Sequence, residues 1–367
     1  CSCGDVDTFG GIRTEAFDSI TETADPGAAA VGINGAYQSP SPMSSAGSVT
    51  VATSTALLIH LLDVQGELKL AGALEVTGPL TVAGDAWFAE SVKALSLVAI
   101  GGDVYQVPGK TLEATVPLGT EGKLIAEEFS VAPPCRCDED EISNWTSVIE
   151  SASEQNDNAS IGLDAAALLQ PPSAIDLTLP CGRFYLSGIA SAEDVRLLVV
   201  GRVALFVAGD VASTGSLQIE LAPGAELDWF IDGQLDLSTL KLGEAERPAA
   251  VRVYVAGDGE LSVPQDDVFA NLYAPRADVV LGGESDFFGS VFGHTVGSLG
   301  AIVVHYDAAV QRVADGCALE EPPSCSGCGE CSAGRACVGG SCADCGDDAD
   351  CCWPLVCNGG RCSAFEE

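Results

Sequence analysis

The chain has 367 residues, enough to bury a large core, and 53 acidic against 16 basic side chains give it a formal net charge of -37. Such a surface excludes nucleic acid and anionic membrane surfaces as partners, because a polyanion repels both. No apolar run approaches the ~20 residues of a membrane span, so no transmembrane segment is expected.

Residues 1–46 are rich in Asp, Gly, Ala, Ser and Pro and read as an N-terminal arm that gains order only by docking. Without an initiator Met or a signal peptide, the chain reads as a processed, exported protein. A Cys1-Ser2 start also fits a mature lipoprotein with a lipid anchor on Cys1. The even total of sixteen cysteines argues instead for full pairing.

From residue 47 to 134 the pattern changes. Gly66, Gly72, Gly78 and Gly84 return at a six-residue step. Between them Leu68 and Leu70, Leu74 and Val76, and Leu80 and Val82 alternate with polar or small residues. Two inward aliphatics and a glycine corner make one side of a β-solenoid coil, and three such hexads make an 18-residue rung. Gly84-Asp85 and Gly102-Asp103 lie one rung apart. Leu95, Leu97, Val104, Tyr105, Leu112, Val116 and Leu124 are expected inward or at edges.

Residues 135–180 read as a helical insert. Ile142, Trp145, Val148, Ile149 and Ala152 recur at helical spacing, which predicts a helix over 139–153 laying its Trp145 stripe on the solenoid. The carboxylates of Asp138 to Glu141 suit its N-terminus. Asn156-Asp157-Asn158 ends it. Asn144 and Asn158 head N-glycosylation sequons, which in a bacterial chain are chance matches.

A second β-helical section runs over 181–317. Val207-Ala-Gly209, Ile231-Asp-Gly233 and Val255-Ala-Gly257 are 24 residues apart, and Val280-Leu-Gly282 reads as the next copy. The expected fold is therefore all-β: a parallel β-helix or solenoid with one inserted helix and, over 318–367, a C-terminal disulfide-rich module.

Eleven of the cysteines follow residue 316, which points to an oxidising compartment. Cys325, Cys328, Cys331, Cys337 and Cys342 are matched by Cys345, Cys351, Cys352, Cys357 and Cys362, each half closing on Cys-x-Gly-Gly-x-Cys. These ten are expected to pair among themselves, with at least one bridge between the halves. Cys181 and Cys317 flank the second section and are expected to pair, leaving Cys1 and Cys3 to meet Cys135 and Cys137. A zinc reading of the tail lacks any histidine there.

Cys181-Gly-Arg-Phe-Tyr-Leu-Ser187, Val207-Ala-Gly-Asp210, Ala270-Asn-Leu-Tyr-Ala-Pro-Arg276, Asp286-Phe-Phe-Gly-Ser290 and His305-Tyr-Asp307 together resemble an uncharacterised β-helical domain of bacterial surface and pilus-associated (PilX-like) proteins. That resemblance covers residues 181–317 and implies a β-helix on an exported protein, with no chemistry to carry over. The hexads of 66–88 resemble bactofilins, solenoids that polymerise end to end. The tail, with Asp350-Cys-Cys352, is similar to small knottin or colipase-type modules.

Catalytic patterns are missing from the sequence. His60, His294 and His305 are scattered, and His305-Tyr306-Asp307 reads as a capped last rung. The enzyme alternative is a polysaccharide-cleaving β-helix using Asp228, Asp232 and Asp236, with Asp258, Asp266 and Asp267 near the next coil. Few aromatics speak against it. No cofactor is expected; Asp347, Asp348 and Asp350 are the candidate Ca²⁺ ligands, with a solvated acidic loop as the alternative. The sequence therefore predicts a non-enzymatic structural protein, extracellular or on a bacterial cell surface, that self-assembles into a homopolymeric filament with its arm adding a strand to a neighbour. The alternative is a monomeric adhesin or binding lipoprotein.

Overall fold

The computed structural model describes residues 1–312 apart from 38–40, 54–56, 117, 140–141, 143–144, 264–267 and 283–284. Beyond 312 it describes 336–338, 341–343, 345, 355–358 and 361–364. The chain forms two compact units, Cys1–Ala314 and Asp315–Glu367.

The first unit is a parallel β-solenoid of about 13 turns. In the hexad section the strands are three residues long, and their outer two residues are buried. Leu80 lies between Leu62 and Val98, Leu74 beside Val92, and Ala86 between Leu68 and Val104, so the 18-residue rung stacks like residue on like. The corners need glycine where backbones of successive coils meet: a Cβ on Gly78 would overlap the carbonyl oxygen of His60. Corner N–H groups off the strand ladder are taken by short side chains of the coil below. The Asp103 N–H donates to Asp85 Oδ1 (2.7 Å), the Lys123 N–H to Asp103 Oδ1 (2.7 Å) and the Glu67 N–H to Ser48 Oγ (3.0 Å). Part of the acidic excess is thus structural.

The second section starts at Ile175–Leu186. Its 24-residue step holds for Val207, Ile231 and Val255, which stack in register. It then fails. Tyr254 pairs with Tyr273 and Leu281 with Ser298, so the coils contract toward the size of the 18-residue rungs they must meet. Val280 lies beside Ser262 and Gly297, not above Val255, and the Val280-Leu-Gly282 phrase is no fourth copy.

The two sections are joined by the N-terminus. Val6–Thr8 pairs with Val296–Ser298, and Ile12–Asp18 lies between Ile302–Asp307 on one side and Met43–Ser45 on the other. Val31–Ile33 then pairs with Val49–Val51. The described residues of 1–46 are therefore not an arm; they form the middle coils of the rod, with Val6, Ile33, Ala36 and Tyr37 buried. Along the axis the order is 175–307, then 1–126. The chain enters in the middle, winds out to one end, returns, and winds back from the other.

The return begins with a strap. From Leu124–Ala126, six coil steps lead down through Val104, Ala86, Leu68, Val49 and Val31 to Ser2, about 29 Å at ~4.8 Å per step. Only eight residues lie between Ala126 and Cys135, nine Cα steps that span about 30 Å when fully extended. The mostly exposed residues 127–134 must run nearly straight.

Helix α1 (Trp145–Glu154) follows. It begins six residues later than expected, and the acidic run stays outside its first turn; Glu139 instead pairs with Arg276 (2.8 Å). The stripe packs as expected. Trp145 meets the rings of Phe230 (5.2 Å) and Tyr254 (4.7 Å), while Ile149 and Ala152 are buried against Phe206.

Among its described residues the second unit holds two short antiparallel hairpins, Ala336–Val338 with Ser341–Ala343 and Leu355–Asn358 with Arg361–Ala364. Cys337 faces Cys342 and Cys357 faces Cys362, so the repeated phrase corresponds to a repeated hairpin.

Candidate functional site

The two ends of the rod are built differently. At the end that begins the second section, the edge of Ile175–Leu186 is closed by side chains of the segment after α1. Asp157 Oδ2 accepts the Arg183 N–H (2.8 Å), and the Asp157 N–H donates to the Arg183 carbonyl (2.7 Å). Asn158 Oδ1 accepts the Tyr185 N–H (2.9 Å) while its Nδ2 donates to the Tyr185 carbonyl (2.7 Å). Each residue copies the two hydrogen bonds of a neighbouring strand. Leu168 is buried beneath the cap, and Ala190 exchanges backbone bonds with Leu168 and Gln170. Asn158 itself is buried in this cap, which explains the asparagine of its sequon without a glycan.

The opposite end is open. Leu112–Ala114 pairs only with Val92–Ala94, Gly119–Thr120 only with Val98–Ile100, and Leu124–Ala126 only with Val104–Gln106, among the described residues. Leu124 repeats the inward register of Val104 yet is 60 % exposed, and Val116 is 41 % exposed. Below them Gln106 turns inward where the preceding coils carry Phe88 and Leu70, and its buried Nε2 has no partner among the described residues. Inward-pointing aliphatics, free strand edges and an orphaned amide together mark an unfinished core. Leu95 and Leu97, expected inward or at edges, instead sit exposed at corners, because Val92, Ala94, Val98 and Ile100 fill that coil.

A second surface feature lies on the same section. Lys69, Trp87 and Tyr105 occupy successive outward positions of one face. Trp87 and Tyr105 stack at 4.8 Å and 3°, with Lys69 Nζ 4.6 Å from the indole centroid. Desolvation, then the carboxylates of Asp85, Asp103, Glu127 and Glu67, hold the Tyr105 hydroxyl above the ordinary tyrosine range. This ladder was missed in the sequence, although its three members recur at the rung spacing.

The carboxylates considered for polysaccharide cleavage have separate partners. Asp228 is bound by Arg202 (2.7 Å) and Arg252 (2.5 Å), which also hold Glu226. Burial pulls the Arg252 guanidinium down, the bond and charges of Asp228 and Glu226 push it up, and the net shift is upward. Asp232 accepts the hydroxyl of Thr146 on α1 (2.6 Å). Asp236 lies on the next strand beside Ala212, while residues 266 and 267 fall outside the described residues. His305 does not cap a last rung. It stacks on Phe288 (4.4 Å) on the outer face of a coil partway along the rod, with Asp286 at 3.0 Å and Glu15 at 3.4 Å, because the N-terminal coil continues the stack beyond it.

Among the cysteines, Cys1 is bonded to Cys135, Cys3 to Cys137 and Cys345 to Cys357. The sulfur a lipid on Cys1 would need is thus taken up in a bridge. Cys181 is disulfide-bonded; residue 317, its expected partner, lies outside the described residues, as do Cys325, Cys328, Cys331, Cys351 and Cys352 and the expected bridge between tail halves. Asp347, Asp348 and Asp350 also lie outside them. Among the described residues no group of three or more His, Cys, Asp or Glu side chains is arranged to hold a metal, and no helix is long and apolar enough to cross a membrane.

Comparison with known proteins finds one family model that matches part of the chain. A model described as a domain of unknown function (DUF7305) matches residues 139–313, which run from the start of the helical segment through the second section. No curated protein and no solved structure matches the chain.

Proposed function

We propose that this chain is a structural subunit of an exported, extracellular or cell-surface assembly, a rigid rod that joins a second copy through its open end. The observation that carries this reading is the contrast between the ends: Asp157 and Asn158 close one edge, while Leu112–Ala126 leaves strand edges, Leu124 and Gln106 unfinished at the other. A closed far edge offers nothing to a head-to-tail neighbour, so the two open ends meet each other in a two-fold contact. The bridges Cys1–Cys135, Cys3–Cys137 and Cys345–Cys357 support an oxidising compartment, and the resemblance of 181–317 to PilX-like surface proteins and of 66–88 to bactofilins supports an assembly role.

Sedimentation equilibrium of the oxidised full-length protein tests this. Glu113, Glu121 and Glu127 at the open end would repel their copies, so dimer should increase as salt screens them. Leu124→Glu should keep the β circular dichroism and abolish the dimer. A protein that stays monomeric at high concentration across the salt range sinks the reading, including the case in which its own tail covers the end.

The Lys69–Trp87–Tyr105 stack favours a second reading, a surface binding module that presents aromatic faces to a carbohydrate or protein. Binding to a glycan array lost in Trp87→Ala would support it.

A further inference from the structure

The solenoid core is filled mainly by Leu, Val, Ile and Phe along both sections, with Ser191, Ser213 and Gln106 among its buried polar exceptions, and small residues gather where the sections meet. There the inward positions include Thr8, Thr14, Ala29, Ser45 and Ser298, all buried and all small. Beside them lies a cavity of about 450 Å³. Its walls are mainly Val6, Ile12, Ile33, Leu281, Val296 and Ile302. It opens between Ala30 to Gly32 on one side and Phe292 and Val304 on the other, all partly or fully exposed.

The polar side chains of the lining are already engaged. Thr8 Oγ1 meets the Tyr37 hydroxyl (3.2 Å), and Thr14 Oγ1 meets Ser45 Oγ (2.9 Å). Ser2 donates to the His294 carbonyl (3.2 Å), Ser290 to Asn271 Oδ1 (2.8 Å) and Ser298 to the Gly300 carbonyl (2.6 Å). Gln311 Nε2 donates to the Tyr306 hydroxyl (3.2 Å), and the Cys1 amine to the Val291 carbonyl (2.8 Å). Water that enters through the opening therefore finds few side-chain partners here, which favours an apolar guest. An apolar guest would gain dispersion contacts along the lining of this cavity. This one is about three times the ~150 Å³ apolar cavity that accepts benzene, and it falls within the ~300–1,000 Å³ range of ligand sites.

We infer that the junction cavity is a binding site for an uncharged, mainly aliphatic molecule, such as a medium-length alkyl chain. No charged side chain lines it, and the Cys1 amine in its wall already donates to the Val291 carbonyl, so an ionic group on a ligand would find no side-chain counter-charge. The small residues at the junction are the specific feature. Leu or Val at Thr8, Thr14 and Ser298 would continue the aliphatic core into this space, whereas the buried Ser191 and Ser213 of the second section do not line the cavity.

Titration of the oxidised full-length protein with the neutral fluorophore N-phenylnaphthylamine tests the site. One molecule should bind per chain with saturation in the micromolar range, and dodecanol should displace it. Val304→Trp and Val296→Phe, each placing a ring in the cavity, should weaken binding at least tenfold without lowering the melting temperature. Absence of saturable binding, failure of dodecanol to compete, or unchanged affinity in a folded filling variant would each overturn the inference. Should both variants unfold, the dodecanol competition on the unaltered protein decides alone.

Discussion

Asp307 accepts the backbone N–H of Ser19 at 3.0 Å, linking the last coil of the second section to the coil formed by the N-terminus. The same buried carboxylate accepts the N–H groups of Ala249 (3.2 Å) and Ala309 (3.0 Å). Ser19, Ala249 and Ala309 belong to three turns, none of which has a strand partner for that N–H. One buried carboxylate thus gathers three donors at the junction, beside the pairing of Ile12–Asp18 with Ile302–Asp307.

Replacing that anion should be costly. Asp307→Ala leaves three N–H groups without their acceptor, and at ~1–3 kcal/mol for a buried unsatisfied group the loss should be at least about 3 kcal/mol. Urea denaturation followed by circular dichroism measures it; a change under about 1 kcal/mol would mean that water replaces the carboxylate.

The bridges Cys1–Cys135 and Cys3–Cys137 each span 134 residues and close nearly the same loop. Once one is formed, the other closes only a ring of a few residues. In the chain-entropy model, removing either alone should cost about 2 kcal/mol, and removing the second then about 5 kcal/mol. A double-mutant cycle with Cys→Ser pairs checks this, and equal costs in both steps would refute the shared-loop account.

The strap has almost no slack. Deleting three residues from 128–133 shortens its reach by about 10 Å, so Cys135 and Cys137 should no longer reach Cys1 and Cys3. Thiol titration of the denatured, unreduced variant should then show four more free thiols than the parent. Unchanged thiol content would show that the strap follows a shorter route.

Trp145 is half-buried and touches the ladder of Phe230, Tyr254 and Tyr273 on three successive coils. Trp145→Ala should cost about 3 kcal/mol, near the low end for a large aromatic because part of the ring already faces solvent. Hydrogen exchange of α1 should rise with it, while exchange in the hexad section should not change.

The hydroxyl of Ser216 and then its N–H hold the Asp194 carboxyl below the ordinary aspartate range, and the bond from Arg196 does the same for Glu220. Both groups have folded-state pKa values lower than their unfolded values. Their contribution is present above the unfolded value of about 4 and is lost as pH falls through the folded one. The melting temperature should therefore drop as pH is lowered below about 4, and Asp194→Asn should flatten part of that decline. An unchanged slope in the variant would place the acid sensitivity elsewhere.

The hexads, rung spacing, helix stripe and Cys-x-Gly-Gly-x-Cys repeats were legible in the sequence, because each is a local rule. An inward residue recurs at a fixed step, and a hairpin repeats its turn. The pairing of Cys1 and Cys3 with Cys135 and Cys137 followed by counting. Three features were beyond such rules. Polar, small-residue composition made 1–46 look like an arm, since Thr8, Thr14 and Ala29 carry no aliphatic pattern; only the stacking of Ile12 beside Ile302 shows that they are core. Asn158 looked like a helix stop, and its role as a surrogate strand depends on Tyr185 lying across from it. The order of the coils, second section before first, is decided by tertiary structure alone: parallel stacking asks only that neighbouring strands match in register and width, and it is indifferent to which part of the chain supplies them.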